Sequence, residues 1–528
     1  MRRFHSYGPV DCERHFCVER RDLVHNCLNY LIDDPVKGGH YFTIWGPRQT
    51  GKTWLMREVV KEIKSRHGDM FLIGTMSMQG VVMEDDEPDD AFLLRVPLLM
   101  HRAFCLEMQA PRKWEDWPRL FAADKGLFRK PVVLLIDEFD SLRPQVIDRL
   151  VRLLRDVYLN RDGYWLHGLA LIGIRAVLGI ESQRGSPFNI QRSLHVPNLT
   201  ADEVRELFKQ YGEESGQGID PAVVEKVYGV TRGQPGLVSW FGELLTEKFN
   251  PGKNSLIDMK TWERTYARAC TTEWNNTVLN IIKKAQGEYR EHILDLFARS
   301  DIPFTLRADW CNYLYLHGII DYEEAIDSNG REVEICRFSS PFVQRSIYDA
   351  LTHHLVGGHT PVLALEPLDD LSDVFDQSSL GVPGLIRRYK DYLKRLKAKG
   401  LSPWKEQPRR ADMHLTEAVG HFHLYAWLRG AVGRYCVISP EFPTGNGKVD
   451  LHLNCSGKTG IIEIKSFTDV RQARDAVRQA AGYAARLGLD SVALVLFAPV
   501  EDESVLEKLS GEQSVDGVLV HAFAIECC

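Results

Sequence analysis

The chain has 528 residues, of which 44% are hydrophobic and 26% are charged. That balance is typical of a globular protein, and the length predicts roughly three or four domains. The formal net charge of −7 excludes a protein coated in non-specific nucleic-acid contacts, so any nucleic-acid binding needs a local basic patch. Since no apolar run approaches the roughly 18 residues of a membrane-spanning helix, we expect no membrane partner.

The 11 cysteines are odd in number and scattered along the chain. Cys12 and Cys17 lie close together, as do Cys527 and Cys528, but no pair has the spacing of a zinc site. The N-terminus carries no signal-peptide pattern, which favours a cytoplasmic location with reduced thiols.

The first candidate site is a glycine-containing loop between an apolar strand and an amphipathic helix. Tyr41–Trp45 is short and rich in β-forming residues, and Trp54–Val60 is typical of a helix. A phosphate-binding loop requires this context, because its backbone N–H groups and the helix N-terminus surround the phosphates. We expect ATP here, with the lysine on the β- and γ-phosphates and the threonine hydroxyl on Mg²⁺. The predicted nucleotide ligands in the loop are Gly46, Pro47, Arg48, Gln49, Thr50, Gly51, Lys52 and Thr53.

A second apolar run carries two acidic residues at its end. Val132–Ile136 is unbroken and is followed by Asp137 and Glu138. Such a run predicts a strand buried on both faces of a parallel sheet, and α/β sheets bind ligands at the C-terminal ends of their strands. Asp137 is then a Mg²⁺ ligand, and Glu138 orients or deprotonates the attacking water. The alternative is a solvated acidic turn, which the preceding phosphate-binding loop disfavours.

Roughly residues 1–350 resemble the AAA-type ATPases of the ORC/Cdc6 and STAND-like group. Besides the phosphate-binding loop, the resemblance lies in Tyr7–Val10, Val18–Leu23, Ser186–Ile190 and Gly233–Leu237. It implies a P-loop ATPase core with a parallel sheet at 1–197 and a helical lid at 198–280, in which Pro235 touches the nucleotide. A capping box at Thr200 and Glu203 marks the first lid helix.

One departure from this family's pattern follows the next predicted strand, Leu169–Ile174. Arg175 stands there instead of a serine, threonine or asparagine, so it either senses the γ-phosphate or caps the strand. Arg184 and Arg192 are further arginine-finger candidates, and an ordinary surface position is the favoured alternative for each.

Between the two ends, the pattern predicts a winged-helix-like module at 281–355. It consists of helices at Ile293–Ala298 and Arg307–His317, then a hairpin that turns at Ser328–Gly330. The Asn-Gly pair in that turn is a strong hairpin signal.

Residues 356–410 predict a linker and a basic helix. Ten cationic side chains lie between residues 387 and 410, interleaved with Tyr389, Tyr392 and Trp404. They indicate either a nucleic-acid surface with stacking aromatic rings or a solvated helix whose apolar stripe packs inward.

Two acidic residues and a lysine near the C-terminus form the second candidate site. Asp450 lies in the alternating run Gly447–Leu453, and Glu463 and Lys465 follow after a predicted turn. We expect neighbouring antiparallel strands, with Glu463 and Lys465 on one face because they are two residues apart. Carboxylates bind Mg²⁺, which activates water, and a lysine stabilises the developing charge. Asp450 and Glu463 are therefore the predicted metal ligands, and Lys465 is the predicted catalytic cation.

Residues 411–528 resemble the PD-(D/E)XK nuclease superfamily around these residues, although Val449 stands in place of the motif's proline. The resemblance implies a restriction-endonuclease-like α/β domain that uses Mg²⁺ or Mn²⁺. It also implies two further active-site residues, Glu417 on the preceding helix and Gln479 on the following one. Two alternatives stay open, namely acids that are merely solvated and a domain that keeps the motif but only binds.

Together these patterns predict an α/β multidomain protein that hydrolyses ATP and cuts phosphodiester bonds. The leading hypothesis is an ATP-regulated DNA endonuclease, and family analogy alone suggests a prokaryotic defence or mobile-element system. The alternative is an ATP-driven conformational switch whose C-terminal domain binds nucleic acid or a protein partner without cutting. The choice between DNA and RNA and the formation of a homo-oligomer stay open.

Overall fold

The computed structural model describes most of the chain in two compact units. These are Met1–Thr277 with Thr305–Ile320, and Val278–Phe304 with Asp321–Cys528. The predicted module at 281–355 is therefore divided between the units, and the other domain boundaries stay predictions. The described residues are 1–84, 86–173, 193–250, 252, 254–298, 302–326, 330–356, 364–366, 369–376, 378–404, 417–433, 435–443, 448–455, 457–467 and 470–527.

The first unit is built on a parallel sheet, as the sequence predicts. Its five described strands follow the order β2-β3-β4-β1-β5. They are β1 (Tyr41–Trp45), β2 (Leu72–Ser77), β3 (Val132–Asp137), β4 (Leu166–Gly173) and β5 (Ser193–His195).

The apolar run in β3 is explained by two core layers, one on each face of the sheet. Leu134 and Ile136 pack into one layer, and Val133 and Leu135 pack into the other. Because successive side chains of a strand point to opposite faces, a strand between two layers needs apolar residues at every position.

Helices contribute to both core layers and form the predicted lid. The capping box at Thr200 and Glu203 is confirmed at the start of the first lid helix. The helices are α1 (Arg21–Ile32), α2 (Lys52–His67), α3 (Val96–Phe104), α4 (Asp116–Arg119), α5 (Pro144–Leu159), α6 (Ala201–Ser215), α7 (Pro221–Thr231), α8 (Pro235–Glu243), α9 (Met259–Thr271), α10 (Asn276–Ala285, at the division between units) and α12 (Asp309–Leu316). Short 3₁₀ turns lie at Gly68–Met70, Asp89–Arg95, Phe139–Ser141 and Arg161–Gly163, and a π-helical turn lies at Leu244–Lys248.

The second unit is built on a mixed sheet with the described order β12-β13-β11-β10-β9-β8. Strands β10, β11 and β13 are mutually parallel, whereas β9 runs antiparallel to β10 and β8 antiparallel to β9. The strands are β8 (Val437–Pro443), β9 (Lys448–Cys455), β10 (Lys458–Ser466), β11 (Ser491–Ala498), β12 (Gly511–Val515) and β13 (Val518–Glu526), and a separate hairpin pairs β6 (Ile320–Ile326) with β7 (Glu332–Phe338).

Two helices of the second unit, Glu417–Val432 and Val470–Arg486, come before and after the predicted metal-binding strands in the chain. The helices of this unit are α11 (Arg290–Ala298), α13 (Pro341–Val356), α14 (Ser372–Phe375), α15 (Val382–Ala398), α16 (Glu417–Val432), α17 (Val470–Arg486) and α18 (Glu503–Leu509). In the part of the chain that the structure describes, no helix has the length and apolar character needed to cross a bilayer.

The prediction of reduced thiols is wrong for four cysteines. Cys12 is bonded to Cys17, and Cys436 to Cys455. Val437 pairs with Asn454 in the β8–β9 register, which brings Cys436 opposite Cys455 with their Cα atoms 4.2 Å apart. Cross-strand neighbours of this kind depend on register, so the spacing of the cysteines along the sequence did not reveal them.

Candidate functional sites

The predicted phosphate-binding loop lies between β1 and α2. Gly51 adopts a φ of 96° directly before α2, a left-handed conformation that glycine accepts readily. The Lys52 ammonium donates hydrogen bonds of 2.7 Å to the backbone oxygens of Gly46 and Pro47. The lysine is thus held against its own loop by neutral acceptors.

The environment of Lys52 favours an anionic ligand. Burial lowers the pKa of Lys52 to about 8, and the carboxylates of Asp140, Asp137 and Glu138 oppose that shift. An opposite charge stabilises the protonated form of a buried amine. A bound phosphate would therefore keep the ammonium charged.

Strand β3 ends at Asp137, whose carboxylate reaches the first turn of α2. The Thr53 hydroxyl donates a 2.8 Å hydrogen bond to Asp137 Oδ2, although β4 separates β3 from β1 in the sheet. A hydroxyl and a carboxylate are hard oxygen donors, so the pair fits Mg²⁺. The roles of Thr53 and Asp137 as Mg²⁺ ligands stay predictions.

At Glu138 the backbone leaves the extended conformation of β3. This residue has a φ of 52°, uncommon for a residue other than glycine, and its N–H donates to Asp137 Oδ1 over 2.9 Å. Burial, and then the neighbouring charge of Asp137, raise the pKa of Glu138 above its ordinary value. A carboxylate with a raised pKa is suited to accept a proton from water.

The lid reaches the same loop at the N-terminus of α8. Gln234 caps α8 by accepting from Leu237 N–H, and its Nε2 donates to Arg48 O over 2.9 Å. Pro235 is the first residue of α8, and its contact with nucleotide stays a prediction. Arg175, Arg184, Arg192 and the stretch Ser186–Ile190 lie outside the described residues.

A family model for an AAA-like domain matches residues 5–267. The chain contains an AAA-like P-loop ATPase domain. The match supports the ATPase part of the predicted fold and implies the use of ATP.

Three solved structures match the chain with low identity and with TM-scores below 0.5. The Walker-type ATPase PABY2304 of Pyrococcus abyssi is 14% identical, with a TM-score of 0.44 over 65% of this chain and 99% of that one. The RuvB Holliday junction branch migration motor of Thermotoga maritima is 15% identical, with a TM-score of 0.32 over 59% and 91%. The Aeropyrum pernix ORC1 protein in complex with DNA is 15% identical, with a TM-score of 0.30 over 63% and 93%. A search of curated proteins gives no match in sequence.

The second candidate site lies on β9 and β10. Lys465 Nζ is 3.0 Å from Glu463 Oε1 and 3.9 Å from Asp450 Oδ2. The Glu463 side chain is only 1% exposed, and Asp450 Oδ2 accepts the Ile464 N–H over 2.5 Å. The structure therefore brings together the two acids and the lysine that the sequence singled out.

The electrostatics of this cluster suit a cation. Burial raises the pKa of Asp450, an effect that Lys465 and the Ile464 N–H oppose. Mg²⁺ is bound in proteins by one or two carboxylates and retains water ligands, so Asp450 and Glu463 fit it. Among the described residues there is no group of three or more His, Cys, Asp or Glu placed to hold a metal. Glu417 is the first residue of α16, and its side chain lies outside the described part.

Helix α17 adds a tyrosine that the sequence analysis did not assign to the site. Gln479 Nε2 donates to the Tyr483 hydroxyl over 2.8 Å. Burial raises the pKa of Tyr483, and the charges of Glu463, Lys465 and Asp450 also act on it. Gln479 is thus hydrogen-bonded to a tyrosine whose pKa the charges of the cluster influence. Their spacing of four residues on one helix was the available signal.

The aromatic residues of the basic segment are not available for stacking on bases. Tyr389, Tyr392 and Trp404 are all buried, and the Tyr389 hydroxyl lies 2.6 Å from His423 Nδ1. Arg388 forms ion pairs with Asp369 and Asp373 on the same unit. The stacking hypothesis is wrong, and the inward-packed helix is confirmed for α15.

An exposed row of arginines lies on α17 instead. Arg471, Arg474 and Arg478 are exposed and occupy positions i, i+3 and i+7, which share one helix face. Arg478 is 3.8 Å from Asp475, and both are largely exposed. We call these three residues the α17 arginine row.

Proposed function

We propose that this protein is an ATP-regulated, metal-dependent endonuclease that acts on DNA. The observation that carries the proposal is the contact of Lys465 with Glu463 and Asp450 on adjacent strands. A solvated acidic sheet has no need to bury one carboxylate and set a lysine beside both. A place in prokaryotic defence or mobile elements stays a prediction from family analogy.

The residues of the second site take separable roles in this proposal. Asp450 and Glu463 hold Mg²⁺ or Mn²⁺, which when bound supplies polarisation of the phosphoryl oxygen and an activated water. Lys465 stabilises the negative charge that develops on the phosphoryl group. Gln479 orients Tyr483 at the edge of the cluster.

The α17 arginine row supplies the contact with the nucleic-acid backbone. It lies on the helix that carries Gln479 and Tyr483, so phosphates bound there would be close to the reacting one. Exposed guanidinium groups bind phosphates bidentately. This local patch is compatible with a chain of net negative charge.

In the AAA-like domain, four residues take roles in binding and hydrolysing ATP. Lys52 turns from the loop carbonyls to the nucleotide phosphates, and Thr53 and Asp137 hold Mg²⁺. Glu138 accepts the proton of the attacking water. Hydrolysis then changes the lid contact made by Gln234, which is the proposed regulatory event.

The test is a cleavage assay on plasmid, linear duplex, single-stranded DNA and RNA, with Mg²⁺ and ATP or with excess chelator. Wild-type protein should cut DNA only with metal, and Asp450→Asn should be inactive while it still hydrolyses ATP. The matched control is Asp516→Asn, which removes a carboxylate outside the site and should cut normally. Metal-independent cleavage, or cleavage by Asp450→Asn, would contradict the nuclease assignment. Binding of DNA without any cleavage would support the alternative of an ATP-driven binding switch.

A further inference from the structure

One residue of the phosphate-binding loop has a backbone conformation that its side-chain type does not favour. Gln49 adopts a φ of 59°, in the left-handed region. Residues other than glycine are uncommon there, and they persist where surrounding contacts hold them. The side-chain contacts of Gln49 therefore indicate what this position does.

The side chain of Gln49 ties the loop to the N-terminal segment. Its Nε2 donates a 3.0 Å hydrogen bond to Ser6 O. Ser6 is buried, and its N–H and hydroxyl donate to the two carboxylate oxygens of Glu243 over 2.7 and 2.8 Å. Glu243 is the last residue of lid helix α8. A continuous chain of hydrogen bonds thus runs from the loop through Ser6 to the C-terminal end of α8.

The N-terminal end of α8 meets the same part of the loop. Gln234 Nε2 donates to Arg48 O, and a Cβ on Gly236 would lie 2.2 Å from Gln49 Oε1. Helix α8 is therefore attached to residues 48 and 49 from both of its ends. The glycine at 236 allows the close approach of the glutamine side chain.

We propose that Gln49 is a positioning residue that couples the lid to the phosphate-binding loop and so controls nucleotide release. These contacts resist movement of residues 48 and 49, which belong to the loop that would surround the phosphates. Because the Gln49 side chain acts through Ser6 and α8, its loss should speed the release of bound nucleotide. The inference concerns the AAA-like domain and does not depend on nuclease activity.

The experiment measures release of a fluorescent ADP analogue from the full-length chain by stopped flow. Gln49→Met keeps the side-chain length and the backbone conformation but cannot donate to Ser6 O. We expect release about three- to tenfold faster, the effect of one lost hydrogen bond. The KM for ATP should also rise, because the same contacts hold the loop around ATP, and comparing the changes in KM and kcat distinguishes this effect from a general loss of active protein.

Two further variants make the result specific. Glu243→Ala breaks the far end of the chain, and its effect on release should not multiply with that of Gln49→Met, because both changes interrupt one path. Gln210→Met is the matched control, since Gln210 on α6 donates to Cys17 O in the N-terminal segment without touching the loop. It should release ADP like wild type.

Three results would overturn the proposal. They are a wild-type release rate in Gln49→Met, multiplying effects of Gln49→Met and Glu243→Ala, and equal acceleration by the Gln210→Met control. If Gln49→Met does not fold, Gln234→Ser replaces it. Serine still caps α8 but cannot reach Arg48 O, so release should again be faster. An unchanged rate in that variant would contradict the coupling.

Discussion

The two candidate sites use the same kinds of group in different arrangements. In the AAA-like domain, Lys52 donates to the backbone carbonyls of its own loop, and Asp137 accepts from Thr53. In the second unit, Lys465 lies directly against the Glu463 carboxylate and near Asp450. Lys52 can therefore turn to a phosphate without breaking an ion pair, whereas in the proposed nuclease Lys465 would exchange a carboxylate for the substrate. The first site suits an anionic ligand, and in the proposed function a metal ion would compensate the acids of the second site.

The largest expected effect tests the acid of the first site. Glu138→Gln should lower ATP turnover by about 10²- to 10⁴-fold, because the amide cannot accept the proton of water. ATP binding, followed with a fluorescent analogue, should persist since Thr53 and Asp137 are unchanged.

Exposed Glu115 provides the control for this change. Glu115→Gln removes the same charge from the same unit and should hydrolyse ATP normally. Wild-type turnover in Glu138→Gln would place the catalytic base elsewhere.

The second prediction tests the lysine of the second site. Lys465→Met should lower DNA cleavage by about 10²- to 10³-fold, the effect of removing one preorganised charge-stabilising donor. ATP hydrolysis without DNA should be unchanged. Lys508→Met, which alters an exposed lysine of the same unit, should cleave normally. Equal cleavage by the Lys465 and Lys508 variants would show that Lys465 has no role in cleavage and only forms a structural ion pair with Glu463.

A smaller effect is expected from the α17 arginine row. Alanine at 471, 474 and 478 should weaken binding of duplex DNA, measured by fluorescence anisotropy at several salt concentrations. Each phosphate contact contributes about 0.9 to the slope of log affinity against log salt, so the slope should fall by about 2.7. A control with alanine at Lys394, Lys399 and Lys508 removes three positive charges elsewhere in the unit. If both variants lose the same affinity, overall charge and not the helix face governs binding.

The smallest effect is expected in the core of the second unit. Tyr389→Phe removes the hydroxyl that lies against His423 Nδ1, and should lower the free energy of unfolding by about 1 kcal/mol. Its affinity for DNA should be unchanged because the ring is buried. Tyr435→Phe, at a largely exposed tyrosine of the same unit, should alter neither property. Unchanged stability in Tyr389→Phe would contradict a stabilising role for the contact between the hydroxyl and His423.

The two units also differ in how much of each could be predicted from the sequence. The strand of Val132–Asp137 and the loop before Lys52 were recognisable because their signals are contiguous, either an apolar run or a motif between a strand and a helix. Asp450, Glu463 and Lys465 were found through strand periodicity and resemblance.

Other features depend on contacts between distant parts of the chain and were missed for that reason. The disulfide of Cys436 with Cys455 depends on the β8–β9 register, and the inward orientation of Tyr389 depends on what packs against α15. The contact of Gln49 with Ser6 joins residues that no local pattern relates.

The central claim is that the nucleotide state of the AAA-like domain controls cleavage by the second unit. The most direct test compares DNA cleavage rates without nucleotide, with ATP, with ADP and with a non-hydrolysable ATP analogue, in wild type and in Lys52→Ala. Coupled sites typically differ by about 5- to 150-fold between states, so wild-type rates should spread over that range, while Lys52→Ala should give one rate in all four conditions. Identical wild-type rates in the four conditions would contradict the account and leave two independent activities on one chain.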